Sequence, residues 1–318
     1  PWNVCATSTA FHVLNGALYQ YHAGNWDFGG NSLADLVNNE VNLSAYGAYF
    51  YDSTASRLYV ELGSATPSQV SLYVGSREEC VRLEGSSYIL LDGFSITHGD
   101  QFGLTLRGCD HIVIRRCEFR DNERGIFTPV YRESLTTNTC VVESCQFVYG
   151  KTLEWLATAP RGWDILKNFM DTAGNDIGYN HPFGMDISQA GDGWVVKGNT
   201  YDSLFDGLYF SQLTPNRQKF FSPQFYANMD VLDNRFTHIA DDCVEPEGAG
   251  VNLRILRNRM EKVHMGFSDS PVAVGPVYFM RNTVADWSYF QANGNAIKAK
   301  PLGNTLHDFG PGFPYHNT

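Results

Sequence analysis

Residues 253–260 read LRILRNRM, and residues 277–284, 24 positions on, read VYFMRNTV. Each is a short apolar run with alternating character, then polar residues, then Asn, one further residue, and an apolar one. Working outward, the same phrase returns as DVLDNRF (230–236), WVVKGNTY (194–201), WDILKNFM (163–170), CVVESCQF (140–147) and IVIRRCEF (112–119). The repeated position is occupied by Cys117, Cys145, Asn168, Asn199, Asn234, Asn258 and Asn282. YILLDGFSI (88–96) is an earlier member with Gly93 there, and FPYHNT (313–318) a later one with Asn317. The chain therefore stops inside a repeat, and its end reads as the edge of an excerpt.

A second short segment follows about eight residues after each repeated position: Gly125-Ile126-Phe127, Gly207-Leu208-Tyr209, Asp242-Cys243-Val244 and Gly266-Phe267-Ser268. Gly103-Leu104-Thr105 and Gly184-Met185-Asp186 belong with them after small insertions. The shortest spacing is 23–24 residues, and gaps of 28–35 read as the same coil carrying a loop. A period of two is a strand period, whereas helical repeats need apolar residues at 3.6. The Leu-x-x-Leu-x-Leu signature of leucine-rich repeats is missing. A 24-residue period with two or three short strands is the coil of a right-handed parallel β-helix. Asn suits the ladder position because it tolerates the αL turn, and stacked amides hydrogen-bond to one another. The solenoid is assigned to 81–318. Residues 1–80 do not follow the repeat and read as an N-terminal flank covering its open end, with a β-hairpin over 47–62 and a short helix over 32–41.

The chain carries 23 Lys+Arg against 34 Asp+Glu, a formal net charge of −11, which argues against a duplex nucleic-acid partner. No apolar run approaches the ~20 residues of a membrane span. The acidic, aromatic-rich, lysine-poor composition suits a secreted protein, extracellular or periplasmic, and the start at Pro1 suits a processed or excerpted chain. Of the seven cysteines, Cys117 and Cys145 occupy the same position in adjacent coils, at a separation that fits either a disulfide or two stacked thiols. No C-x₂-C occurs, which argues against zinc.

In a β-helix the binding surface is a groove of outward side chains stacked coil on coil. Read with period two, the strand after the ladder turn sends out Thr105, Phe127, Asp186, Tyr209, Glu245, Ser268 and Lys298. The densest acidic run is Asp241-Asp242-Cys243-Val244-Glu245-Pro246-Glu247, and such crowding is how a general acid is made to hold its proton. Two chemistries are open. Asp186 and Glu245, two coils or ~9–10 Å apart, would flank a water as in an inverting glycosidase. Alternatively, Lys298 or Lys300 would act as the base of a uronate lyase or C5-epimerase, with Glu245 and Glu247 holding Ca²⁺; the hydrolase needs no cofactor. His264 and His181 stand just before the outward strand. Tyr209, Lys300 and Trp155 are candidates for substrate binding, with Trp163 and Trp287 as further aromatics.

The repeat over about 80–318 resembles the pectate-lyase-like superfamily of right-handed β-helix proteins, whose enzymes act mostly on polysaccharides. Locally the chain is similar to the family 28 glycoside hydrolases, the polygalacturonases. Phe205-Asp206-Gly207, Asp241-Asp242-Cys243, His264-Met265-Gly266 and Ala296-Ile297-Lys298 follow that family's order of Asp-Gly, Asp-Asp-Cys, His-Gly and Arg-Ile-Lys. Leu204-Phe205 stands where the family has Asn-Thr, Met265 interrupts His-Gly, and Ala296 replaces the uronate-binding Arg. The resemblance implies Asp242 or Asp206 as general acid and Asp241 as part of the pair that activates water. The expected partner is a polysaccharide or oligosaccharide. A non-catalytic carbohydrate-binding, adhesin or filament β-helix is the alternative from a different class.

Overall fold

The computed structural model describes residues 78–99, 101–129, 136–149, 182–188, 190–210, 226–246, 250–269, 272, 275–287, 295–299 and 312–315, and five N-terminal strand segments between 10 and 74. Three parallel sheets of 8, 8 and 7 strands run along one axis. Each full coil contributes one strand to each. The first sheet stacks Glu79–Glu84, Phe102–Arg107, Arg124–Phe127, Phe183–Asp186, Asp206–Tyr209, Asp242–Glu245, Met265–Asp269 and Asn295–Ala299. The second runs from Leu90–Asp92 to Gly312–Tyr315, and the third from Ser95–Thr97 to Thr283–Ala285. The chain is a right-handed parallel β-helix, as the repeat predicts.

The core is a set of columns, because parallel register puts the same coil position one above the next. The second sheet sends in Ile114, Val142, Val196, Val231, Ile255 and Phe279, all at most 1% exposed. The third sends in Phe119, Phe147, Tyr201 and Phe236, whose rings stack at 4.9, 4.8 and 4.6 Å within 7° of parallel. Against these rings the first-sheet strands can carry only glycine. A Cβ on Gly207 would lie 2.7 Å from the Phe236 ring and 2.5 Å from the Cys243 carbonyl oxygen. Where the ring column gives way to Met260, the glycine column gives way to Cys243.

The asparagine ladder closes on itself. The Asn199, Asn234 and Asn258 backbone N–H groups donate to the side-chain oxygen of the next ladder Asn, each at 2.9 Å, and their side-chain amides donate to the same oxygens at 3.0–3.1 Å. The αL conformation falls on the preceding residue (Asp233, Arg257 and Arg281, φ 55–56°), not on the asparagine as turn preference predicts. Asn is there for its amide, which satisfies buried backbone groups at a corner where the strands have ended. Cys145 N–H donates to Asn199 Oδ1 at 2.8 Å, and the strand Val141–Glu143 pairs directly with Val195–Lys197. The ladder therefore steps from Cys145 to Asn199. WDILKNFM with Asn168 lies outside the described residues and is not the coil between them. Cys117 and Cys145 are neighbours in the ladder and both are free thiols.

In the flank, Ala48–Asp52 pairs antiparallel with Arg57–Glu61, the predicted hairpin. Ala10–Leu14 pairs antiparallel with Ala17–Tyr21 and Val70–Val74. The helix expected over 32–41 lies outside the described residues.

Candidate functional site

The first sheet's register skips its second residue: Arg124 pairs with Phe183, then Ile126 with Met185 and Phe127 with Asp186, leaving out Gly125. The strands match residue for residue, and the apolar residues at the first and fourth positions (Phe102, Phe127, Phe183 and Met265) stand outside the core cluster, so both positions face outward. The face therefore carries two rows. One holds Thr105, Phe127, Asp186, Tyr209 and Glu245 in direct register, with Ser268 opposite Lys298 further on. The other, one side of it, holds Phe102, Arg124, Phe183, Asp206, Asp242 and Met265. Contacts between the rows run diagonally, from the first residue of one strand to the fourth of the next. Phe102 stacks on Phe127 at 4.2 Å, Arg124 Nη1 meets Asp186 Oδ2 at 3.0 Å, and Phe183 tilts against Tyr209 at 5.2 Å.

On this face three carboxylates converge. Asp206 opens one strand and Asp242 opens the next, and Asp242 N–H donates to Asp206 Oδ1 at 2.9 Å. Asp241 stands at the turn just before, its N–H donating to the Phe205 carbonyl at 2.8 Å. Oxygens of Asp206, Asp241 and Asp242 lie within 4.8 Å of one another, and each side chain is buried, at 1–4% exposure. At that separation two ionised carboxylates repel by roughly 3 kcal/mol at an effective dielectric of ~20. Such a group holds either a shared proton or a cation. His264, 1% exposed, occupies in the next coil the place of Asp241, since Met265 is opposite Asp242. Beneath the cluster lies Cys243, whose thiol is pushed well up by burial and by the nearby Asp242 and Asp206 charges.

Asp186 is differently placed. Its Oδ1 accepts from Ser188 Oγ at 2.6 Å while Oδ2 engages Arg124. Burial pushes its carboxyl above the ordinary value, with Arg124 and Ser188 acting against that. It stands two coils from Glu245 in the same row, with Tyr209 between. Glu245 and Tyr209 are half-buried. Lys298 falls in that row opposite Ser268, two coils or ~10 Å beyond Glu245. Trp155, His181, Glu247 and Lys300 lie outside the described residues, as does Trp163; Trp287 is exposed.

Period-two reading finds one outward row and misses the second, so it misses Arg124. Its guanidinium lies 5.8, 5.0 and 5.2 Å from the ring centres of Phe102, Phe127 and Phe183. The available signal is the glycine at the second position of five strands, which marks a close approach of backbone.

The model of the right handed beta helix region family matches residues 27–200, more than half of the chain, and the chain belongs to that family. No curated protein matches it. Among solved structures, the alginate lyase from Paenibacillus sp. str. FPU-7 is similar at 12% identity and a TM-score of 0.38, over 76% of this chain and 69% of that one.

Proposed function

We propose that the protein is a polysaccharide-active enzyme, a glycoside hydrolase whose acid and base are drawn from Asp206, Asp241 and Asp242. The observation that carries this reading is the convergence of their oxygens within 4.8 Å on the outward face of the first sheet. Hydrolysis of a glycosidic bond needs one carboxyl that gives a proton to the leaving oxygen and one carboxylate that serves the anomeric centre. A cluster that cannot ionise fully supplies both forms at neutral pH.

The hydrogen bonds divide the roles. Asp206 Oδ1 already accepts the Asp242 N–H, which favours its ionised form. Asp242 is then the general acid, and Asp206 and Asp241 supply the carboxylate that serves the anomeric centre. These are also the residues that the Asp-Gly and Asp-Asp-Cys resemblance to family 28 picks out. A polymer substrate accords with a site outside the cell or in the periplasm.

Single Asp→Asn variants at the three positions test the reading on a polysaccharide panel. New reducing ends should appear with the wild-type protein and fall at least 10²-fold in each variant. An unsaturated, ultraviolet-absorbing product would show a lyase instead. Full activity of any of the three variants would remove that residue from the mechanism.

A further inference from the structure

We propose that the corner between the first and second sheets is a glycan-binding ridge, separate from the acidic cluster, on which a polysaccharide chain lies along the solenoid axis. The ridge does not depend on the hydrolase reading.

At this corner each of six coils passes through one αL residue, and parallel register stacks those residues in a row. Tyr88, His111, Thr139, Gly193, Asn228 and Asn252 occupy it, with φ between 51 and 74°. The residues just before them are paired in parallel, Ser87 with Asp110 with Asn138, and Asp192 with Ala227 with Val251. Thr139 N–H donates to the Asp192 carbonyl at 2.8 Å and joins the two runs. Glycine adopts αL freely and asparagine tolerates it, whereas a bulky tyrosine there is strained. Gly193 shows that the corner accepts glycine. Tyr88 and His111 therefore stand in the row for their rings and not for the turn.

Those rings stack on each other at 4.8 Å and 24°. His111 covers one face of Tyr88, yet Tyr88 is 79% exposed, so its other face is open. Leu90, two residues on and 51% exposed, widens this apolar end of the ridge. An open aromatic face packs on the C–H face of a pyranose, and the Tyr hydroxyl adds a hydrogen bond. Beside the platform, the solvent-reached pair of His111 Nδ1 and Asp110 Oδ2, at 2.8 Å, offers polar groups to sugar hydroxyls. Phe94, also exposed, stands past Gly93 at the next corner and is not part of the row.

Further along, the row turns to amides. Asn252 Nδ2 donates to Asn228 Oδ1 at 2.8 Å, and Asn228 Nδ2 donates to Asp192 Oδ1 at 2.7 Å, all at the surface. Each nitrogen spends one of its two hydrogens within the row and keeps the second for a hydroxyl. From Tyr88 to Asn252 there are five coil steps of ~4.8 Å, about 24 Å in all, which is a span of several sugar units. A protein partner calls for a broad apolar centre. One ring platform followed by ordered amides fits a polyhydroxylated chain of equatorially substituted pyranoses, as in glucans and xylans. Asp206 and Asp242 open their strands in the first sheet, whereas the ridge follows the strand ends, as Tyr88 follows Glu84.

The test is affinity electrophoresis of the full chain through native gels containing hydroxyethylcellulose, mixed-linkage glucan or xylan. The wild type should be retarded by at least one of them, and Asp206→Asn/Asp242→Asn equally so. Tyr88→Gly should weaken that retardation about tenfold, while Tyr88→Phe keeps most of it. The melting temperature of Tyr88→Gly should be unchanged or raised, because glycine relieves the αL strain. Retardation by none of the three polymers, or undiminished retardation of Tyr88→Gly, overturns the proposal. So does a marked fall in the Tyr88→Gly melting temperature, which would show that the stack serves the fold. A dimer in sedimentation that depends on Tyr88, without polymer binding, would assign the ridge to a second copy of the chain and overturn it as well.

Discussion

Replacing Asn234 by Ala should cost about 3–5 kcal/mol of folding free energy. Its side chain, 1% exposed, takes part in four hydrogen bonds. The oxygen accepts the Asn199 backbone N–H at 2.9 Å and the Asn199 amide at 3.1 Å; the amide donates to Val196 O and to Asn258 Oδ1, each at 3.0 Å. Ala leaves the Asn199 N–H buried with nothing to accept it, worth ~1–3 kcal/mol, and removes three further bonds at ~0.5–1.5 kcal/mol each before relaxation. Asn234→Asp keeps the acceptor but loses both donors and buries a charge, so it should be worse than Ala at neutral pH. Arg235→Ala, one residue on, removes only a 3.4 Å contact to Glu261 from an exposed side chain and should cost under ~1 kcal/mol. Urea unfolding at unchanged slope measures all three. A loss below ~1 kcal/mol for Asn234→Ala would refute the view that the ladder satisfies otherwise stranded backbone.

Phe147→Ala opens the ring column between Phe119 and Tyr201 and should lose ~3–5 kcal/mol by the same assay. Stability should fall below pH ~4. The Asp92 carboxyl is held below its ordinary value by Arg116, Asp233 by Arg257, Glu118 by Arg120 and Glu261 by Arg259. A depressed folded value stabilises above the unfolded one and is lost as pH falls through it, so a melting temperature that rises below pH ~4 would contradict these pairings. Thiol alkylation of the native protein at pH ~8, below the ordinary Cys value, followed by peptide mass spectrometry, should label Cys80 and spare Cys140 and Cys145. Cys80 is exposed, whereas burial pushes the Cys140 and Cys145 thiols up to about 12. Rapid native labelling of Cys145 would show that its coil opens.

The solenoid was legible because its constraints repeat. Asn199, Asn234, Asn258 and Asn282 recur where the corner needs an amide, and the apolar alternation before each has the strand period. The outward row from Thr105 to Lys298 was legible for the same reason, since parallel register preserves phase from coil to coil. Asn168 misled because a local pattern of apolar residues followed by Asn says nothing about which strand it pairs with. The pairing of Val141–Glu143 with Val195–Lys197 is long-range information. Within the site, the order of Asp206, Asp241 and Asp242 along the chain pointed to the residues that converge. Their mutual distance and burial depend on Gly207 admitting Phe236, which no period reveals. Arg124 was invisible for a related reason: Gly125 lies close against the Phe147 ring and the Gly184 carbonyl, and the strand departs there from the period of two.

Assaying purified wild type and Asp241→Asn on the polysaccharide panel, with reducing ends and ultraviolet absorbance of unsaturated product followed together, tests the central claim most directly. The account predicts reducing ends without absorbance for the wild type, and near-complete loss in a variant whose melting temperature is unchanged or raised. Absorbance without dependence on Asp241, or undiminished hydrolysis by Asp241→Asn, would contradict it.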